Sequence, residues 1–538
     1  MSSQPYYPPP YPPPPQQYYS QPQQPQYYPP PTAGTYSYNQ PPNYEHNHGR
    51  EENYNHGREE NYGDYGQTYN TVAEKWNKKP RFQDLWAIIL FIIHLIGFAI
   101  LSYTGINEFI SKKNQLSNTN PDNPNNININ ISSNVITLLV IVGIFGFVLS
   151  LLYMLLMQRF PKPLIRITLY LSIAFYFVAA AAYAYFKQYV PAILLAIFGI
   201  VYLICAFTWR DRIPFAAILL ETVTTLTKKY YGTIIMGLAG LIIQVGWTIL
   251  WIVTLIGAID KFYESSGCGE TQNVKGRSAF SCSQPTLYLV LLYLVFSYYW
   301  TSQVIKTIIH VTDSGVFATF YFLEGTPNGT GPTPTLSSLK RACTTSIGSV
   351  CYGSLIIAIL NTTRFILRSV ARGDDDACGF IAACLECLLS WIEQLVEYFN
   401  HYAYVQVAIY GKSYCEAAKD TWSLIKARGV EAIINDNLVG NVLVMGAIFI
   451  GALCALFGFG YIRLFMNNDI VNSNTILILV IICFFFGLVM TGVITNVIDS
   501  GVTTTFVALA ESPDALRRTK PQLFERIRRE WPQVVQGI

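Results

Sequence analysis

Apolar residues run through this chain in ten stretches of about 20 residues or more, the length that crosses a bilayer as a helix, and polar residues collect between them. The stretches are 85–103, 135–157, 164–186, 190–207, 233–259, 286–311, 347–367, 388–410, 438–462 and 475–497. The first, second and tenth hold no acid, lysine or arginine at all. No soluble core accounts for so many, so the pattern predicts an all-α polytopic membrane protein with about ten transmembrane helices. The eighth stretch differs in character, because it carries Glu393, Glu397 and His401. Lying instead in the interface as an amphipathic helix, it would leave nine spans and put the two chain ends on opposite sides.

Charge favours ten. With the N-terminus in the cytoplasm, the connections on that side hold Arg159, Lys162 and Arg166, then Arg210, Arg212, Lys228 and Lys229, then Lys340 and Arg341, and then Lys412, Lys419, Lys426 and Arg428. The opposite connections are poorer, although Lys112, Lys113, Lys275 and Arg277 are exceptions. The positive-inside rule then sets both termini in the cytoplasm, and the expected location is the plasma membrane. Apolar residues make up 51% of the chain and charged residues 13%, against about 25% charge in soluble domains. A net charge of +3 is too close to neutral to point to nucleic acid. The first 80 residues contain no apolar h-region, so the first span is expected to direct its own insertion.

Three regions follow: a disordered cytoplasmic tail over 1–80, a membrane domain over 81–511 and a basic cytoplasmic tail over 512–538. The first is rich in Pro, Tyr, Gln and Asn, with too few aliphatic residues to offset the entropy of ordering it. Within it an octapeptide from Asn47 to Tyr54 recurs from Asn55 to Tyr62. His46, His48 and His56 lie there without cysteine partners, which makes a poor metal set. Pro8, Pro9, Pro10 and Tyr11 form a PPxY motif, and Pro41, Pro42, Asn43 and Tyr44 form a second. WW domains bind such motifs through a preformed polyproline II ridge. A WW-domain ubiquitin ligase is the expected partner, with Lys75, Lys78 and Lys79 as nearby acceptors.

The connections carry little enzymatic chemistry. Asn130 opens a sequon in a polar loop on the expected outer side, where glycosylation occurs, while the sequons at Asn328 and Asn361 read as chance. Cys268 and Cys282 share a polar outer loop, and an oxidising compartment would let them pair. Cys384 and Cys387 form an isolated CxxC that lacks partners for zinc. Walker, HExxH, GxSxG and dinucleotide fingerprints are missing. Neither an enzyme, a cofactor nor a metal site is expected.

Aromatic residues reach 14%, and the negative faces of their rings attract compact cations. Trp247 and Trp251 share a helix face, while Tyr299 and Trp300 sit mid-span in the sixth stretch. These four are the candidate substrate-binding residues, competing with an ordinary role in packing or interfacial belts. Gln244 and Gln303 either line the same path or join helices.

The segment from Ser346 to Leu360, SIGSVCYGSLIIAIL, followed by Arg364, resembles the Gly- and Ser-rich helix of the choline transporter-like family. Ser390 to Glu393, Asn400, Ala403-Tyr404, Ala408 to Gly411, Cys415 and Ala418-Lys419 continue in the family's order and spacing. Val502-Thr503-Thr504 stands where the family usually reads Val-Asp-Thr. The resemblance implies a ten-helix carrier for choline or related amines such as ethanolamine. Small residues at Gly348, Ser349, Gly353 and Ser354 then form a smooth helix face, suited to static packing or to a rocking contact in alternating access. A non-transporting membrane scaffold acting through its tail is the competing expectation.

Overall fold

The computed structural model describes residues 81–118, 133–265, 269–272, 278–281, 285–326, 329–371, 376–465 and 473–532. The segment to residue 80 with both PPxY motifs, Asn130, Cys268 and Cys282 lie outside the described residues. In chain order the helices are α1 (Leu85–Asn118), α2 (Ser133–Arg159), α3 (Pro161–Tyr185), α4 (Tyr189–Thr208), α5 (Ile213–Lys229), α6 (Gly232–Ser265) and α7 (Pro285–Leu323). They continue as α8 (Pro334–Cys343), α9 (Ile347–Ala371), α10 (Asp376–Tyr410), α11 (Tyr414–Phe465), α12 (Ser473–Glu511), α13 (Pro513–Thr519) and α14 (Pro521–Glu530). Between α6 and α7, strands β1 (Gly269–Gln272) and β2 (Ser278–Ser281) pair antiparallel, Gly269 opposite Ser281.

Proline starts several of these helices, at Pro161, Pro214, Pro334, Pro513 and Pro521. Its missing N–H lies where a helix has no internal acceptor for one. Gly411 closes α10 at φ +63, a left-handed conformation that a side chain would strain.

Among the described residues, nine helices are long and apolar enough to cross a membrane, and α10 is the long helix that fails that test. It nevertheless packs against α7, α9, α11 and α12 within the bundle. One cavity touches Arg81 before α1, Tyr410 at the end of α10 and Ser512 after α12. The two ends of the helical domain therefore meet at one end of the bundle, called here the terminal end. An even number of crossings is required, and α10 supplies the tenth.

The bundle is apolar outside and polar inside, as lipid demands. Helix α1 turns Ile89, Ile92, Ile93, Ile96 and Ile100 outward and buries His94 and Ser102. His94 Nε2 meets Ser297 Oγ at 2.9 Å, and Thr254 Oγ1 donates to Ser102 Oγ at 2.9 Å. These bonds join α1 to α6 and α7.

Two segments read as connection or tail are folded elements. Helix α5 is too short to cross, yet it buries Phe215, Ile218, Leu219, Leu220 and Val223 in the main apolar cluster. Helices α13 and α14 dock on the terminal end, burying Leu516, Phe524, Ile527 and Trp531 in the same cluster. Arg526 donates to both oxygens of Glu221 at 3.0 and 2.7 Å, and Arg212 stands 4.4 Å from the Trp531 ring. This pair of short helices forms a strap across α5 and the end of α7.

Candidate functional site

Helix α10 explains its own poor hydropathy. Glu386, Glu393, Glu397 and His401 follow one another at spacings of seven, four and four residues, which share one helix face, so they form a charged stripe along one side. Each finds a partner. Arg368 donates to Glu386 at 2.8 Å, Arg364 bridges Glu386 and Glu393, and Lys306 of α7 donates to Glu397 at 2.6 Å. His401 Nε2 lies 3.1 Å from Thr503 Oγ1 and 3.2 Å from Asp499 Oδ2, both on α12.

Four residues on from Lys306, His310 stacks on His401. Its Nε2–H donates to the His401 carbonyl at 3.0 Å, and Nδ1 meets Ser500 Oγ at 2.7 Å. Helix α11 closes the site with Asp436, which accepts a 2.5 Å hydrogen bond from Tyr402; the Tyr398 ring lies 5.2 Å from that of Tyr402. Three carboxyl groups thus belong to this cluster: Glu397 on Lys306, Asp499 on His401 and Asp436 on Tyr402. Further along α7, Asp313 is wholly buried, and neither carboxyl oxygen has a hydrogen-bond partner among the described residues.

Accessibility decides what this cluster is. Lys306 lies near the middle of the 39-residue α7, yet its side chain is 62% exposed; Glu397 is 43%, Asp499 47% and His401 28% exposed. Charged groups at that depth cannot face hydrocarbon without a large penalty. Exposed charge within the bundle fits a water-lined cleft between the helices. At the terminal end a second space, a cavity of about 850 Å³, is lined by Arg81, Arg341, Lys412 and Glu511, with Val311 and Ala408 among its apolar walls. Val311 directly follows His310, so a thin buried layer containing His310 and Tyr404 lies between cavity and cleft.

The expected aromatic residues are arranged differently. Trp247 packs on Phe98 at 4.6 Å, and Trp251 donates to the Leu294 carbonyl at 2.8 Å with Tyr298 against its ring. Trp300 faces the other way, only 1% exposed, donating to the Cys351 carbonyl at 3.2 Å among Phe91, His94 and Phe296. Tyr299 is partly buried beside the same cluster. Gln244 donates to Ser302 at 2.9 Å and so joins α6 to α7.

The small-residue face of α9 touches four neighbours: the segment before α1, α7, α10 and α11. A Cβ on Gly348 would meet the Gln83 carbonyl oxygen at 2.0 Å, and one on Gly353 would meet the Tyr404 hydroxyl at 2.3 Å and the Tyr414 ring at 2.5 Å. Ser349 donates to Asp84 at 2.7 Å, and Ser354 to Thr307 at 3.3 Å. Of the cleft residues, Glu397 and His401 stand out in the sequence as ionisable positions in the eighth stretch, and Asp499 opens the segment to Glu511 that resembles the family's closing motif. The signal available for Lys306, His310, Asp436 and Asp499 was the ionisable side chain within or beside an apolar run.

A profile of the family described as plasma-membrane choline transporter matches residues 193–514, from α4 to the start of α13 and across the whole cleft. Protein PNS1 of Mycosarcoma maydis is 36% identical over 475 residues, 87% of this chain and 86% of its own length. Protein PNS1 of Cryptococcus neoformans var. neoformans is 34% identical over 516 residues, 93% and 91% of the two chains. That of Gibberella zeae is 34% identical over 467 residues, 86% and 84%. With the profile covering more than half of the sequence and these relatives matching most of it, the chain belongs to the choline transporter-like family, alongside the fungal PNS1 proteins.

Proposed function

We propose that this protein carries a small organic cation, of the choline or ethanolamine class, across the plasma membrane, with Glu397, Asp436 and Asp499 as the groups that hold it. The observation that carries this reading is the excess of carboxyl groups over ammonium in a water-accessible cleft at mid-bundle. The surplus negative charge there attracts a cation, and the partly buried Tyr398 ring offers a cation–π face to an alkylated ammonium. The thin layer between cleft and terminal cavity supports alternating access, in which one side opens as the other closes. With the terminal end in the cytoplasm, an inward-moving cation gains about 2.3 kcal/mol per 100 mV of inside-negative potential.

Trp247, Trp251, Tyr299 and Trp300 serve in this reading as packed walls that hold α6 and α7 in place. The face of Gly348, Ser349, Gly353 and Ser354 is the contact on which α9 rocks. Radiolabelled choline and ethanolamine uptake is the test, in cells lacking the protein and in cells overproducing it or its E397Q and D499N variants. Uptake should rise with the wild type and not with the variants. Equal uptake of both solutes in every strain would sink the proposal and return the protein to the scaffold class.

A further inference from the structure

The cleft already contains a cation. Lys306 reaches from α7 to place its ammonium 2.6 Å from Glu397, and its charge is felt by His310, His401 and Asp499. An ion pair this accessible contributes little to folding, because water screens it and two long side chains lose freedom in making it. A charge placed at mid-bundle for so small a structural return calls for a functional reason.

We propose that Lys306 is a tethered substitute for the substrate: its ammonium occupies the subsite on Glu397 that the substrate's ammonium takes, and it is displaced when substrate binds. The inference rests on the cation-carrier reading and adds to it the determinant of selectivity. A free cation has to compete with an ammonium held at high effective concentration by its own helix. An inorganic ion that stays hydrated gains only the carboxylate and loses that competition. An alkylated ammonium also gains apolar contact and the face of the partly buried Tyr398 ring, and wins it. The released Lys306 has a second acceptor close by in Asp499, so the lysine need not leave the cleft when it leaves Glu397.

Equilibrium binding of radiolabelled choline to the full-length protein in lipid nanodiscs tests this, with wild type, K306M, K306C and K306R compared and rubidium as inorganic competitor. K306M and K306C, freed of the internal competitor, should bind choline about tenfold more tightly and become sensitive to rubidium; K306R should behave as wild type. Treating K306C with a trimethylammonium-ethyl methanethiosulfonate should restore a tethered cation and block binding, while a neutral methyl reagent should not. A merely structural lysine predicts the reverse sign, weaker binding in K306M. Binding by the wild type with no gain in K306M and K306C overturns this inference alone. Absence of binding in the wild type and every variant overturns the carrier reading beneath it.

Discussion

His310 of α7 and His401 of α10 lie face to face, ring centroids 4.0 Å apart and planes 21° apart, and both are tied to α12, through Ser500 and Asp499 respectively. Three helices are therefore locked together at the depth where cleft and terminal cavity come nearest. A change in one ring moves the other two helices.

H310N and H401N each break one of these ties and leave a buried polar group unpaired, at about 1–3 kcal/mol. Uptake per molecule at the surface should fall about tenfold or more in either variant. Surface biotinylation alongside uptake checks it; unchanged transport would show the pair to be packing alone.

Glycine positions divide sharply by what surrounds them. A Cβ at Gly353 would intrude on Tyr404 and Tyr414, whereas one at Gly246 in α6 meets nothing within 4 Å. G353A should cost about 1–3 kcal/mol through overpacking. G246A should be neutral or slightly stabilising, since alanine loses less backbone entropy in a helix. Thermal unfolding of the two purified variants in one detergent gives the comparison directly.

At its far end the strap is closed by Trp531, beyond Phe524 and Ile527 in the same cluster. Trp531 packs edge-on against Phe215 at 4.4 Å beneath the Arg212 guanidinium. Removing a buried Trp costs about 3–5 kcal/mol where the gap cannot collapse. W531A should free α14 locally, so that trypsin cuts at Arg526 and Arg528 much faster than in the wild type. Cleavage at the wild-type rate would mean that the ion pairs alone hold the strap.

At its other end the strap meets Glu324. Burial would raise this carboxyl, but hydrogen bonds from Lys229 and Tyr230 and the charge on Lys520 bring it below its ordinary value of 4.5. Folding thus favours the ionised form, a contribution complete above about pH 4.5 and lost as the pH falls below it. Tyr230 behaves in the opposite sense: burial and its bond to Glu324 push the phenol up to about 12, so its contribution is complete below about pH 10 and fades toward pH 12. E324Q should flatten the acid limb of a thermal-stability profile and lower the plateau. An acid limb identical to the wild type would assign the loss to other carboxylates.

The hairpin bears on the disulfide expected in the loop between α6 and α7. Gly269 pairs with Ser281; Cys268 and Cys282, next to those residues in the sequence, lie outside the described residues. The pair should resist thiol reagents on intact cells until reduced, and C268S should lower surface expression. Labelling of both cysteines without reduction would exclude the bond.

The apolar stretches were legible because crossing a bilayer is a local demand: each run must be long enough by itself, whatever its neighbours do. The same locality misled at 213–229, where a run too short to cross read as a connection, although α5 is buried by α2, α3, α11 and α12 around it. It misled again after Ser512, where alternating charges concealed the apolar positions Leu516, Phe524 and Ile527 that dock the strap.

By itself the sequence determined the order and rough position of the apolar helices, the aromatic richness and the family, since each is written in runs and motifs along the chain. Only the tertiary structure decided which polar residues meet. Lys306 and Glu397 are 91 positions apart, and His310 and Ser500 are 190 apart. An ionisable group in an apolar run advertises its cost but not its partner, because the partner lies on another helix and is chosen by how the helices pack. The packing therefore made a charged cleft of what had read as a flaw in the eighth span.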